Sequence, residues 1–275
     1  MFTDKPTLPL HLETLLDVVK EFPDAKFSRK KIGKLLQPGG IVESQKETEN
    51  TIKAALDLEL LKEKEYVSTN FNPDQKSREL ILSALDSHVF NDQKLEPYFA
   101  PFYSYLLSKE NTKGLKKNPK EWVDSYHDET GGRADNNPFN DVKLVALYRW
   151  YIYAGLGWRD LSEEFQAYPY ERIKRRLAHI FKDNGKLMVK DFVENLGIAC
   201  PELDGGKVFN KNKSQTMDNN NISLGVSQVL VTLHEEEVVT LFCPRDSDGP
   251  SIEKAKPRIK GEIQLPRLSM IELNP

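Results

Sequence analysis

The chain has 275 residues, 39% hydrophobic and 29% charged, with 39 Lys and Arg against 42 Asp and Glu for a formal net charge of −3. That length supports two or three modest cores. The near-balance of charge excludes the global basic field of a nucleic-acid-coating protein but leaves room for a local basic face.

In "LPLHLETLLDVVKEF", Leu8, Leu12, Leu15, Leu16, Val19 and Phe22 fall on one helical stripe. After the break "PDAK", the segment "FSRKKIGKLLQPGG" predicts a shorter helix. Ser28 suits its N-cap, Phe27 and Ile32 stand at hydrophobic-staple positions, and Pro38-Gly39-Gly40 stops it. A third helix is expected from about Ser44 to Leu61, with Ile52, Ala55, Leu56 and Leu60 facing inward, and "KEKEYVSTNF" then alternates like a strand. Three helices followed by a hairpin is the order of a winged helix-turn-helix over residues 1–75; the competing reading is a small helical bundle with a stray strand.

Residues 76–165 read as a helical connector. Its aromatics (Tyr98, Phe99, Phe102, Tyr103, Tyr105, Tyr148, Trp150, Tyr151 and Tyr153) fit a buried core better than a base-stacking platform. Residues 166–275 read as a second, winged-helix-like domain. "YERIKRRLAHIF" and "KLMVKDFVENLGI" predict helices, "CPELDGGKVFNKNKSQTMDNNN" a long polar connection, and "ISLGVSQVLVTL" a third helix. Val226, Val229, Leu230 and Leu233 share one face of that helix, and Ser223 or Asn221 would cap it. Leu58–Ser68 matches Leu230–Thr240 without a gap, 172 positions apart, at the expected helix-to-wing corner. The fold class expected is therefore α+β, predominantly helical, with two winged helix-turn-helix units joined by a helical connector.

No apolar run is long enough to cross a bilayer. The first residues carry acids and no basic segment of a signal peptide. The two cysteines, Cys200 and Cys243, fit reduced thiols in a cytoplasmic protein rather than a zinc site. "VTLHEEEVVTLFCPRDSDG" concentrates groups that could hold a metal. A zincin would need a second histidine where Val238 stands, and an EF-hand fails at Pro244 and Ala255. His234–Glu237 then read as a solvated corner and "RDSDGPS" as the tip of a wing. Glu202, Asp204 and Lys207 in "PELDGGK" have the residue types of a metal-dependent nuclease; the alternative is a tight turn at Asp204-Gly205-Gly206. His127, Asp128 and Glu129 in "HDETGGR" are explained equally by a metal or by surface polarity. There is no Walker A, G-x-G-x-x-G or G-x-S-x-G sequence and no nucleophile with an evident base. No catalytic residue, metal, cofactor or small-molecule substrate is expected, and no membrane partner.

Two basic clusters could neutralise phosphates. The first comprises Lys26, Arg29, Lys30, Lys31 and Lys34 around the second helix, with Gln45, Lys46, Asn50 and Lys53 on the third among Glu43, Glu47 and Glu49. The second comprises Arg172, Lys174, Arg175 and Arg176, with Lys207, Lys211 and Lys213 before the last helix. Either set could instead be an ordinary solvated face, and winged helices also dock proteins.

"AGLGW", "GIACPELDGGKVFN" and "ISLGVSQVLVTLHEEEVVTLFCPRDSD" resemble the C-terminal half of DpdG-type proteins, over roughly the last 130 residues. That family belongs to bacterial gene clusters that place 7-deazapurine bases in DNA and restrict unmodified DNA. The resemblance implies a non-catalytic component of a DNA-modification or phage-defence system, with DNA and other protein subunits as partners. It supplies no catalytic residues. The remaining alternatives are the nuclease around Glu202, Asp204 and Lys207, and a tandem winged-helix replication initiator or transcriptional regulator.

Overall fold

The computed structural model describes residues 7–22, 27–37, 46–63, 67–72, 74–91, 95–109, 118–130, 139–161, 164–182, 184–214, 217, 221–244, 252–254 and 269–274. The fold is mostly helical, with small antiparallel sheets. It forms two compact units, Met1–Phe99 with Asp141–Tyr153, and Ala100–Asn140 with Ala154–Pro275. The segment read as a connector is shared between them.

Helix α1 (Pro9–Glu21) opens with proline at a position where its missing N–H has no partner to lose. It buries Leu12, Leu15, Leu16 and Val19, while Phe22 lies past its end and is exposed. Helix α2 (Arg29–Leu36) is capped by Ser28, whose Oγ accepts from the Lys31 N–H at 3.2 Å, and Phe27 and Ile32 on its inner side are both buried. Helix α3 (Lys46–Asp57) ends four residues earlier than the periodicity predicts, because Leu61 already belongs to strand β1 (Leu61–Glu63). Strand β2 (Val67–Thr69) returns antiparallel, pairing Leu61 with Thr69. Helix α4 (Ser77–Leu85) runs into a π-helix over Asp86–Asn91.

The chain continues through α5 (Phe99–Leu107), α6 (Pro119–Thr130) and α7 (Asp141–Ala154). The aromatics expected in the core are buried except Tyr153, which is half-buried and donates its hydroxyl to Glu13 at 2.6 Å. In the first unit Phe99 packs edge-on against Phe90 and Tyr151, and the Trp150 indole donates to the Thr7 carbonyl at 2.7 Å. In the second unit Phe102, Tyr105, Tyr126 and Phe139 form one cluster.

The second unit then takes β3 (Gly157–Arg159) and β4 (Phe165–Ala167), an antiparallel pair. "YERIKRRLAHIF" is two short helices, α8 (Tyr170–Lys174) and α9 (Leu177–Ile180), because the chain turns at Arg175-Arg176, where the Arg176 N–H bonds back only three residues to Ile173. "KLMVKDFVENLGI" is likewise divided: Lys186–Met188 is strand β5, and only Val189–Ala199 is helix, α10. The supposed polar connection contains α11 (Lys207–Asn212) and is largely buried at Pro201–Asp204, Val208 and Phe209. Helix α12 (Leu224–Glu235) carries the expected inner face and the Ser223 cap, and runs two residues past Leu233. Strands β6 (Val239–Pro244), β7 (Ile252–Lys254) and β8 (Met270–Leu273) complete a sheet of order β5-β8-β6-β7. The tip "RDSDGPS" lies outside the described residues.

The two units share one internal plan. In the first, Phe27 bridges Val67 on β2, and β2 pairs with β1. In the second, Leu187 pairs with Ile271 on β8, and β8 pairs with β6. Phe27 and Leu187 each stand two residues before a helix, α2 or α10. Helices α3 and α12 also end alike. Glu59 and Glu237 have φ of 55° and 60°, the left-handed position that closes a helix. Leu60 N–H reaches Ala55 O and Glu59 N–H reaches Leu56 O; Val238 reaches Leu233 and Glu237 reaches His234 in the same way. Asn70, just after β2, donates its side chain to Glu59 O at 2.7 Å and its N–H to Leu60 O at 3.1 Å. Asn274, just after β8, does the same to Glu237 O at 2.6 Å and Val238 O at 3.1 Å.

Glu59 thus corresponds to Glu237, 178 positions on rather than in the 172-position register of the sequence match. That match set a helix end against a helix interior because leucines and charges recur in both. Asn70→Ala should lower the stability of its unit by about 1 kcal/mol, the net value of one such bond, and Asn274→Ala by somewhat more, because Thr240 Oγ1 also donates to Asn274 Oδ1 at 3.0 Å. Chemical denaturation of each variant, followed by hydrogen exchange, measures this. A loss at one position and none at the other would show that the junctions are not equivalent.

Candidate nucleic-acid interface

The basic face of the first unit follows from the packing of α2. Burial of Ile32 and Gly33 turns Arg29, Lys30, Lys31 and Lys34 outward. Arg29 is a tether as much as a free cation: its Nε and Nη2 grip Glu63 on β1 at 2.7 and 2.5 Å. That hydrogen bond holds the Glu63 carboxyl below its ordinary value and raises Arg29. Lys31 sits over the Phe27 ring at 5.2 Å. Lys30 and Lys34, Lys53 on α3 and Lys62 on β1 are exposed and have no ion-pair partner among the described residues. Lys46 is exposed and Asn50 half-buried on α3, beside exposed Glu47 and Glu49. Lys26 and Gln45 lie outside the described residues.

The second cluster does not stand together. Arg172 is a correction: it is buried, and its Nε donates to Glu202 Oε1 at 2.7 Å, because the single turn of α8 points residue 172 into the core. Arg175 is exposed but spends its Nε and Nη2 on the carbonyls of Glu171 (3.2 Å) and Ala154 (2.8 Å). Arg176 is half-buried. Lys174 pairs with Glu236 at 3.5 Å and bonds to the Tyr170 hydroxyl. Lys207 and Lys211 are exposed on α11, and Lys213 is half-buried behind it.

The acids considered for metal chemistry are taken up by the fold. Glu202 is held by Arg172. Asp204 accepts from the Ser223 N–H and hydroxyl, both at 2.7 Å, and so fixes the residue that caps α12. Burial pushes the Asp204 carboxyl up to about 6, against those bonds. Gly205, with φ of +80°, makes the tight turn, and Gly206 N–H bonds to Leu203 O at 2.9 Å. Lys207, the nuclease lysine of the sequence reading, is exposed while both acids are buried.

His127 and Glu129 are not surface polarity either. His127 is buried with Nε2 at 2.9 Å from Phe139 O. Burial alone would raise the Glu129 carboxyl, but bonds from Lys109 (2.6 Å), Ser214 (2.7 Å) and Tyr105 (2.9 Å) hold it below its ordinary value. Sequence reasoning missed this node because its members come from three separate segments. His234 lies at the α12–β6 corner with Nδ1 at 3.2 Å from Val239 O, and Glu235–Glu237 are exposed there. Among the described residues, no group of three or more His, Cys, Asp or Glu converges as a metal site would require, and no helix is long and apolar enough to cross a membrane.

A family model described as DpdG-like matches residues 2–248. The chain belongs to the DpdG-like family. No curated protein and no solved structure matches it. The match takes in nearly the whole chain, well beyond the C-terminal motifs that carry the resemblance in the sequence. In this DpdG-like chain α12 contains no Lys or Arg, although Lys190 on α10 and Lys207 and Lys211 on α11 are exposed in the same unit, whereas in the first unit exposed lysines stand on α2, on α3 and on strand β1.

Proposed function

We propose that this DpdG-like chain is a non-catalytic subunit of a DNA-modification or phage-defence system, built on two winged helices, and that its first unit contacts DNA. The shared strand order and the matched Glu59/Asn70 and Glu237/Asn274 junctions support the winged-helix reading. The observation that carries the DNA contact is the set of exposed lysines at positions 30, 34, 53 and 62 around α2, α3 and the β1–β2 wing. Each would neutralise a phosphate, and Glu47 and Glu49 beside them oppose deep insertion of α3 into a groove. The contact is therefore with the backbone and indifferent to sequence, while the second unit, whose third helix has no cation, assembles with protein subunits.

A labelled duplex titrated with the protein at two salt concentrations, beside Lys30→Glu/Lys34→Glu/Lys53→Glu, tests this. The expected result is affinity that falls steeply with salt in the native chain. In the variant, affinity should drop by roughly a hundredfold with a shallower salt slope, by about one counterion per lysine lost. Absence of binding at low salt, or equal binding by the variant, would overturn the DNA contact.

A further inference from the structure

We propose that Glu63 competes with a DNA phosphate for the guanidinium of Arg29, so that the first unit holds a further phosphate site, occupied by its own wing until DNA arrives. This rests on the reading that the first unit contacts DNA, and it adds Arg29 to that contact. Arg29 is the first residue of α2 and Glu63 the last of β1. The Arg29 Nε and Nη2 donate side by side to Glu63 Oε1 and Oε2, at 2.7 and 2.5 Å. Two parallel charge-assisted bonds are also how a guanidinium takes a phosphate, whose two non-bridging oxygens offer the same paired acceptors. The Glu63 carboxylate therefore marks the place where a phosphodiester would sit against Arg29.

The pair is open to exchange. Its side chains are 49% and 28% exposed, so a phosphate reaches the guanidinium without opening the core. Solvent screens such a pair and keeps it weak. Among the described residues, Glu63 makes no other side-chain hydrogen bond. Glu49 on α3 adds a weaker attraction on Arg29. Lys30 and Lys34 on α2, and Lys62 next to Glu63, are exposed and draw a duplex backbone toward this face.

The shared plan of the two units does not require an ion pair here. Helix α10 begins at Val189 as α2 begins at Arg29, and Val238 follows the left-handed Glu237 as Leu60 follows Glu59. On that register the second unit has Val189 in place of Arg29 and Leu241 in place of Glu63, both buried. The same plan is thus built with apolar residues at both positions. The ion pair occurs in the unit that carries exposed lysines on α2, α3 and β1.

A labelled duplex titrated over a range of salt with the native chain, Glu63→Gln, Arg29→Gln and the double variant tests the competition. Glu63→Gln should bind roughly two- to fivefold tighter, the size expected when an exposed pair no longer has to be given up. Its salt slope should steepen by about one counterion, because no displaced carboxylate takes up a cation in return. Arg29→Gln should bind more weakly than the native chain, and the gain from Glu63→Gln should be smaller when Arg29 is absent. Glu63→Ala, which leaves the guanidinium no acceptor at that position, is the second variant and should act in the same direction as Gln. Native binding that both Glu63 substitutions leave unchanged or weaken would make the pair a tether of the wing. That result overturns the competition and leaves the phosphate contact of the lysines standing. An equal gain with and without Arg29 would assign the effect to repulsion between Glu63 and the duplex, and overturns it as well. No binding by any of these chains at low salt removes the phosphate contact itself, and the competition with it.

Discussion

Arg172→Met should cost about 3–5 kcal/mol of stability in the second unit, the penalty for leaving a buried charge without its partner. The Arg172 and Glu202 side chains are 2% and 0% exposed and meet at 2.7 Å. Removing the guanidinium strands the Glu202 carboxylate next to Asp204, whose charge is already disfavoured by burial. The pair itself is poor value as a source of stability. Glu202 Oε2 has no hydrogen-bond partner among the described residues, so the desolvation of this carboxylate is incompletely offset. The double substitution Arg172→Met/Glu202→Leu should therefore recover most of the loss. Urea unfolding, with hydrogen exchange read in α10, separates the two cases. A double variant as unstable as the single one would mean that side-chain shape, and not the uncompensated charge, sets the cost.

The sequence made some of this architecture legible and concealed the rest for a physical reason. Elements closed by local chemistry could be read directly. Ser28 and Ser223 both cap the helices expected of them, since a cap involves only residues three positions apart. The inner faces of α1 and α12 follow from 3.6-residue periodicity alone. What failed depended on partners far along the chain. Lys186–Met188 has the look of a helix start until Met270–Leu273 pairs with it. The acids of "PELDGGK" look like a solvated loop until Arg172 and Ser223 close on them. The candidate site divided in the same way. Lys30 and Lys34 could be placed outward from Ile32 alone, whereas Arg172 sits among equally basic neighbours and differs from them only in pointing inward. Asn70 and Asn274 did leave a signal: each is an Asn directly after the last strand of its unit, where a side-chain amide can reach the helix end.

Asp204→Asn should change the pH dependence of stability more than its value at any one pH. The native carboxyl is raised from 3.8 to about 6 by burial, so the folded state binds the proton more tightly than the unfolded chain does. Such a group stabilises the fold fully below the unfolded value, and that contribution is lost as pH rises through about 6. A shift of this size is worth about 3 kcal/mol across the window. Asn keeps the shape, has no proton to lose, and can still accept from the Ser223 N–H through its amide oxygen. The stability of the native chain minus that of Asp204→Asn should therefore fall as pH is raised from 4 to 7, with most of the change complete by the upper end. Urea midpoints of both proteins at unit pH intervals measure the difference, in which the other carboxylates cancel. A flat difference would place the ordinary carboxylate value in the fold and remove burial as the governing influence on Asp204. A difference that rose with pH would mean that the Ser223 bonds outweigh burial. In either event, Ser223→Ala should then be far more costly at neutral pH than a single lost cap.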